Sequence, residues 1–317
     1  MGGERGMSGA HPGMVDIPGG TFRMGSDRHY PEEAPAHSVT MSAFRIDATP
    51  VTNAQFRAFV RETGYVTWAE IDPDPKDYPG ARPEMLKAGG LVFTPPNRPV
   101  DLDDWSQWWR FTFGATWRRP YGKGSHIGDL DDHPVVQVAY RDAEAYAKWA
   151  GKELPTEAEF EFAARGGLDG AEFAWGDELT PGGRHMANTW QGAFPHDNSR
   201  EDGWARTSPV RAYPPNGYGV YDMIGNVWEW TADWYSAKHP ADAGKACCVP
   251  ENPRGVPMEE SYDPRDRVRI PRKVLKGGSH LCAPSYCKRY RPAARHAEQI
   301  DTTTSHVGFR CVVRERA

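Results

Sequence analysis

Apolar residues recur at helical spacing in three stretches of the chain. Thr52 opens the first, with Gln55 three positions on as its capping partner, Phe56, Phe59 and Val60 on one face, and Gly64 as the stop. The second runs over Asp142 to Ala150, where Ala143, Tyr146, Ala147 and Ala150 share a face ahead of Gly151. The third starts at Thr156, whose capping box is completed by Glu159, and ends at Gly166-Gly167. Met14 to Ser26 sets Pro-Gly-Gly between two short apolar runs and predicts a hairpin, and His37 to Asp47 follows as a further strand. Past about residue 168 the helical period gives way to Gly, Asn and Asp turns between short aromatic runs: Val220-Tyr221, Val227 to Trp230, Val274-Leu275 and Phe309 to Val313. Runs of strands with a few helices predict an α+β class. No repeat of roughly 20–50 residues occurs, which excludes a solenoid or a propeller.

The 317 residues lie near the limit of one core, roughly 250–300 residues, and no charged or Ser-rich linker divides them. One irregular domain over residues 14–317 is expected, behind a disordered tail at residues 1–13. That tail lacks the apolar centre of a secretory signal, and Gly6 stands where a myristoylation pattern wants Ser or Thr. The 38 Lys and Arg against 43 Asp and Glu leave a net charge of −5, which excludes nucleic-acid binding driven by bulk charge. No stretch approaches the roughly 20 consecutive apolar residues of a bilayer helix, so the expectation is a soluble protein with no membrane partner. Five cysteines, an odd number in uneven clusters, do not read as a disulfide scaffold, and a reducing cytoplasm is the natural compartment.

Candidate chemistry concentrates in Lys276 to Arg295, KGGSHLCAPSYCKRYRPAAR. Cys282 and Cys287 flank a short turn, and Lys288, Arg289 and Arg291 supply positive charge that favours thiolates. By spacing alone a buried cysteine or a small-loop disulfide is the commoner outcome. Zinc would want four ligands, whereas two soft thiolates suit a soft d10 ion, with Cu(I) leading. Asp222, Gly225, Val227 and Glu229 present two carboxylates separated by backbone carbonyls on a turn, a donor set for Ca²⁺; Asn188 with Asp202 forms a second possible cage. Ordinary Asx turns are the alternative at both. The run Trp105 to Phe113 packs more aromatics than one strand face can bury, so some should line a groove. His280 reads as a structural histidine. No metalloprotease, serine-hydrolase, P-loop or dinucleotide fingerprint is present.

GKELPTEAEFE (151–161), NGYGVYDMIGNVWEWTADW (216–234), KGGSHLCAPSYCKRYR (276–291) and GFRC (308–311) together resemble the formylglycine-generating enzymes, or sulfatase-modifying factors, from about Met14 to Arg314. The resemblance implies their α+β fold, related to C-type lectins. It also implies an oxidase that uses O₂ and an external reductant to convert a cysteine in a Cys-x-Pro-x-Arg motif of an unfolded sulfatase to C-alpha-formylglycine. In that family Cu(I) would sit on Cys282 and Cys287, with Ser279 at the position of the active-site serine. Two structural calcium sites are implied: Asn188, Thr189, Asp202 and Trp204, and Asp222, Gly225, Val227 and Glu229, with Thr189, Trp204, Gly225 and Val227 acting through backbone carbonyls. Asp222 stands where members can carry Asn. Trp105, Trp108 and Trp109 are expected to wall a groove for an extended peptide.

Departures bear on compartment and chemistry. Ala147 and Pro292 replace cysteines of secretory members, leaving Cys311 without a disulfide partner, and Ala283 replaces a histidine found in some members. Cys247-Cys248 lies in a variable loop with no assigned role. The wider fold family also contains non-catalytic binding modules and iron-dependent sulfoxide synthases, and the G-G-S-x-x-C-x4-C segment discriminates among these readings.

Overall fold

The three helical patterns are realised at their caps. In the computed structural model, which describes residues 11–240, 249–266 and 268–314, helix α1 spans Asn53–Thr63. The Thr52 hydroxyl accepts the Gln55 N–H, the Gln55 side chain accepts the Thr52 N–H, and Gly64 ends the helix at φ 67°. Helix α2, Tyr140–Trp149, starts ahead of the apolar pattern because the Asp142 carboxylate takes the Ala139 N–H at 2.9 Å, a cap that Ala139 itself cannot supply. Helix α3, Glu157–Arg165, has Thr156 and Glu159 as its capping box and Gly166 in the left-handed region.

Strands β1, Met14–Ile17, and β2, Gly20–Met24, exist where the hairpin was expected, but they do not pair with each other. The run His37 to Asp47 likewise divides into β3, His37–Met41, and β4, Phe44–Asp47; β1 pairs with β4 and β2 with β3. The reason is steric. Gly19 lies against the backbone of residues 41–43, where a Cβ would come within 2.9 Å of the Met41 carbonyl, so the Pro-Gly link crosses between two sheets instead of folding back. Strands β5, Gly89–Phe93, and β6, Trp109–Phe113, form a separate antiparallel ribbon.

The second half supplies β7, Trp228–Trp234, β8, Arg272–Lys276, β9, Arg295–Gln299, the short β10, Val307–Gly308, and β11, Val312–Arg314. Their four-stranded sheet runs β10-β7-β8-β9, while β11 pairs with β4, so strands from the two ends of the described chain share one sheet. Val220-Tyr221 forms no strand, and the run from Phe309 to Val313 is strand only from Val312. The class is α+β, in one domain of few helices and many short strands.

Two large apolar clusters hold this together, one of α1 and α2 around Phe56, Tyr146, Trp230 and Phe309, the other of α3 against β1 to β4 around Phe160 and Phe162. A third, smaller cluster of Trp108, Trp190, Phe194, Leu281 and Ala283 lies beneath the cysteine segment. Among the described residues no helix is long and apolar enough to cross a membrane. The tail expected at residues 1–13 falls, up to residue 10, outside the described residues, as do Cys247 and Cys248.

Candidate active site

Strand β8 delivers the chain to the site and two glycines turn it. Gly277 and Gly278 adopt φ of 92° and 72°, and a Cβ on Gly278 would meet the Arg289 carbonyl at 2.6 Å, so the returning chain can lie on the outgoing one only if residue 278 is glycine. Tight turns follow: the Ser279 carbonyl accepts the Cys282 N–H at 2.9 Å, and the Ala283 carbonyl accepts the N–H groups of Tyr286 and Cys287 at 3.1 and 2.8 Å. Trp190 N–H holds the Cys282 carbonyl from outside the loop at 3.0 Å. The result brings the two Sγ atoms 3.2 Å apart. Both cysteines are free thiols, Cys282 buried and Cys287 half-buried. A disulfide would need about 2.05 Å.

Charge is divided unequally between them. Burial pushes the Cys282 thiol well up, whereas Cys287 is lowered, first by its hydrogen-bonding contact with Cys282 and then, against its own burial, by the Arg289 backbone and the Arg289 and Arg291 charges. The pair therefore ionises first at Cys287, with Cys282 keeping its proton. Ser279 is buried; its hydroxyl accepts the Leu281 N–H at 3.2 Å, and its own backbone N–H points at Cys282 Sγ at 3.5 Å.

The thiols open on a cavity of about 330 Å³. Its aromatic wall is one interlocked cluster: Phe194 stacks on Tyr286 at 4.5 Å, and Trp108 meets both edge-on at 5.5 and 5.7 Å. Trp109 and Trp228 continue the wall. Of the three tryptophans expected there, Trp108 and Trp109 line the cavity and Trp105 does not. Trp105 sits on the single turn 105–107 begun by Asp104, with 59% of its surface exposed.

Sequence reasoning missed Tyr30, Phe194, His296 and His306, which also line the cavity. Tyr30 arrives from the far end of the chain; its hydroxyl accepts the Lys288 N–H at 3.0 Å, and the Arg289 guanidinium lies over its ring at 4.0 Å. No local pattern marks it. Trp228 and Tyr286, by contrast, lie inside the segments NGYGVYDMIGNVWEWTADW and KGGSHLCAPSYCKRYR. His280 is buried, with Nδ1 at 2.8 Å from the Asn226 carbonyl, and burial lowers it to about 4.

The two oxygen cages adjoin, since the Asn226 N–H bonds the Asn188 carbonyl at 2.9 Å. In the first, Asp202 receives the N–H groups of Thr189 and Trp204 at 3.0 Å each, and the Gln191 amide donates to both Asp202, at 2.9 Å, and the Thr189 carbonyl, so a cation there would have to displace that amide; buried Asn188 Oδ1, with no partner among the described residues, is the oxygen that suits a hard cation. In the second, Arg310 holds both Glu229 oxygens at 2.8 and 2.7 Å, and the Arg211 N–H takes one oxygen of Asp222 at 2.8 Å, so any cation there would share its carboxylates. Burial raises both Asp222 and Glu229. Among the described residues no three His, Cys, Asp or Glu side chains gather as a metal site. Cys311 is a buried free thiol.

Residues 4–315 match the family model described as the sulfatase-modifying factor enzyme 1-like domain. The formylglycine-generating enzyme of Mycobacterium tuberculosis is 56% identical over 300 residues, covering 94% of this chain and 97% of that one. A Bos taurus protein named inactive C-alpha-formylglycine-generating enzyme 2 is 43% identical over 305 residues, covering 94% of this chain and 87% of its own. Among solved structures, PvdO from Pseudomonas aeruginosa shares the fold, with a TM-score of 0.60 at 24% identity over 95% of this chain and 94% of that one.

Proposed function

This chain belongs to the sulfatase-modifying factor family, and from that premise we propose that it is a formylglycine-generating enzyme, an oxidase of peptidyl cysteine. Its substrate is a cysteine within a Cys-x-Pro-x-Arg motif of an unfolded sulfatase. The cysteine CH₂–SH becomes an aldehyde, with O₂, two protons and two electrons from an external reductant consumed and hydrogen sulfide and water released.

The observation that carries this reading is the pair of free sulfurs 3.2 Å apart on the wall of an aromatic cavity. A relative 43% identical bears the name inactive, so overall similarity does not decide activity; the thiols are what the chemistry needs. Cys282 and Cys287 fit Cu(I) by donor type, and that ion would supply the one-electron chemistry through which O₂ reacts. The chain's own residues do the rest. Cys287 is the more acidic thiol of the pair, lowered first by its hydrogen-bonding contact with Cys282 and then by the Arg289 backbone and the Arg289 and Arg291 charges. Trp108, Trp109 and Tyr286 exclude water and seat the entering segment, and beside the pair the cavity has room for the client's sulfur. The Ser279 amide fixes Cys282 in place. Calcium at the Asn188 and Asp222 cages would be structural, and free Cys282, Cys287 and Cys311 suit a reducing cytoplasm.

The test is mass spectrometry of a Cys-x-Pro-x-Arg peptide incubated in air with the Cu(I)-loaded protein and a thiol reductant. The peptide should lose the mass that separates cysteine from formylglycine. An unchanged mass would remove the oxidase and leave a binding module of the same fold.

A further inference from the structure

One residue of the cavity wall is fixed on three sides and open on the fourth. The His306 carbonyl accepts the Trp228 N–H at 2.9 Å, its ring packs on Trp109 with centroids 4.7 Å apart, and its Nδ1 lies 2.6 Å from Thr304 Oγ1. Thr304 is buried, and its hydroxyl proton has no other acceptor among the described residues. A buried hydroxyl gives up its proton to whatever acceptor it has, so Thr304 donates to Nδ1 and the ring proton resides on Nε2. Nε2 has no partner among the described residues, and the ring lines the same cavity as the cysteines. Burial pushes this imidazole well below its ordinary range, so it stays an uncharged donor. His296, whose ring lies 5.7 Å from that of Trp228, has no side-chain hydrogen bond among the described residues.

Resting on the oxidase reading above, we propose that His306 is a substrate-seating residue: its Nε2–H donates to a backbone carbonyl of the client segment beside the reacting cysteine. An extended peptide offers one carbonyl per residue. The cavity is an open cleft, so the carbonyl that His306 takes is one of those flanking the cysteine, and the esters below identify which.

The test is calorimetric binding to the full-length chain of a Cys-x-Pro-x-Arg peptide carrying serine for cysteine, and of versions in which each flanking amide is replaced in turn by an ester, a weaker carbonyl acceptor. His306→Phe keeps the packing on Trp109 and should weaken binding about tenfold, the worth of one hydrogen bond. His306→Gln, whose amide reaches the same place, should restore it to within roughly threefold. One ester should weaken binding to the native chain and leave binding to His306→Phe unchanged. Equal affinities for native and His306→Phe, or esters that cost both alike, would overturn the assignment while leaving the oxidase intact if the native chain still converts the cysteine peptide. A native chain that neither binds nor converts the peptides would take down both.

Discussion

Lys276 and Cys282 stand on one short piece of chain, yet the regions they serve are built on opposite plans. Around Lys276 every charge is answered. Its ammonium lies 2.9 Å from Glu161, both with no exposure; Glu161 also binds Arg165 at 2.7 Å and the Gly25 N–H at 2.8 Å. Arg295 pairs with Glu157 at 2.8 Å, and Arg291 forks onto Glu33. Burial alone would raise Glu161, but Lys276 and Arg165 hold it at about 2. Around Cys282 the opposite holds: two thiols, His306 and a half-exposed Tyr286 line an open cavity with no carboxylate among its lining residues. The ionic lattice ties α3, β8 and the loop before β3 into one frame, and the cavity uses that frame's rigidity to keep reactive atoms open without collapsing on them.

The sharpest way to separate the regions is Cys287→Ser. Turnover of the client peptide should vanish, because a hydroxyl is a poor ligand for a soft monovalent ion, while stability shifts within about 0.5 kcal/mol, as for a side chain that is not fully buried. Thermal melts beside peptide mass spectra check both halves; full activity would erase the distinction drawn here. Lys276→Met should do the reverse. It removes one of the two cations that answer Glu161, leaving Arg165 and the Gly25 N–H, and should cost up to about 3–5 kcal/mol in denaturant unfolding. A native-like unfolding midpoint would mean the lattice is ornamental.

Acid should strike the lattice too. Glu161 is depressed from 4.5 to about 2 in the fold, so its contribution is fully present above the unfolded carboxylate range and is lost as pH falls from about 4.5 toward 2, roughly 3 kcal/mol over that window. Unfolding curves from pH 6 down should steepen there, and Lys276→Met should flatten the slope. Smaller again is the contrast along the tryptophan run. Trp109→Ala should raise KM several-fold to about tenfold, whereas Trp105→Ala should leave it alone; equal effects would put Trp105 back in the groove. The smallest expected change comes from chelating calcium, which should lower the melting midpoint by a few degrees, as loss of about 1 kcal/mol does. Identical melts would count against both oxygen cages.

Much of this was legible where a feature is local. Capping boxes at Thr52 and Thr156 announce their helices because the bonds that start a helix span three residues. The cysteine pair lies within one short segment, so its members are found together, although spacing alone leaves a buried cysteine or a small-loop disulfide as the commoner outcome and only the resemblance singles the pair out. What the sequence hides is long-range. Tyr30 reaches Lys288 across 258 positions, and Arg310 claims Glu229 across 81, pairings that no periodicity marks. The false hairpin has the same origin: Pro-Gly-Gly signals a change of direction, but whether the chain folds back or crosses to another sheet depends on the backbone of residues 41–43 pressing on Gly19. Trp105 failed for a milder reason, since a run of tryptophans on a turn followed by a strand cannot all face one way.

The claim beneath all of these is that two sulfurs jointly hold a soft ion at the cavity wall. X-ray absorption at the copper edge of the chain loaded with one equivalent of Cu(I) tests it most directly. The account predicts sulfur as the only close neighbours of the metal, with that signature lost in both Cys282→Ser and Cys287→Ser. Nitrogen or oxygen neighbours in the native chain, or an unchanged spectrum in either variant, would contradict it.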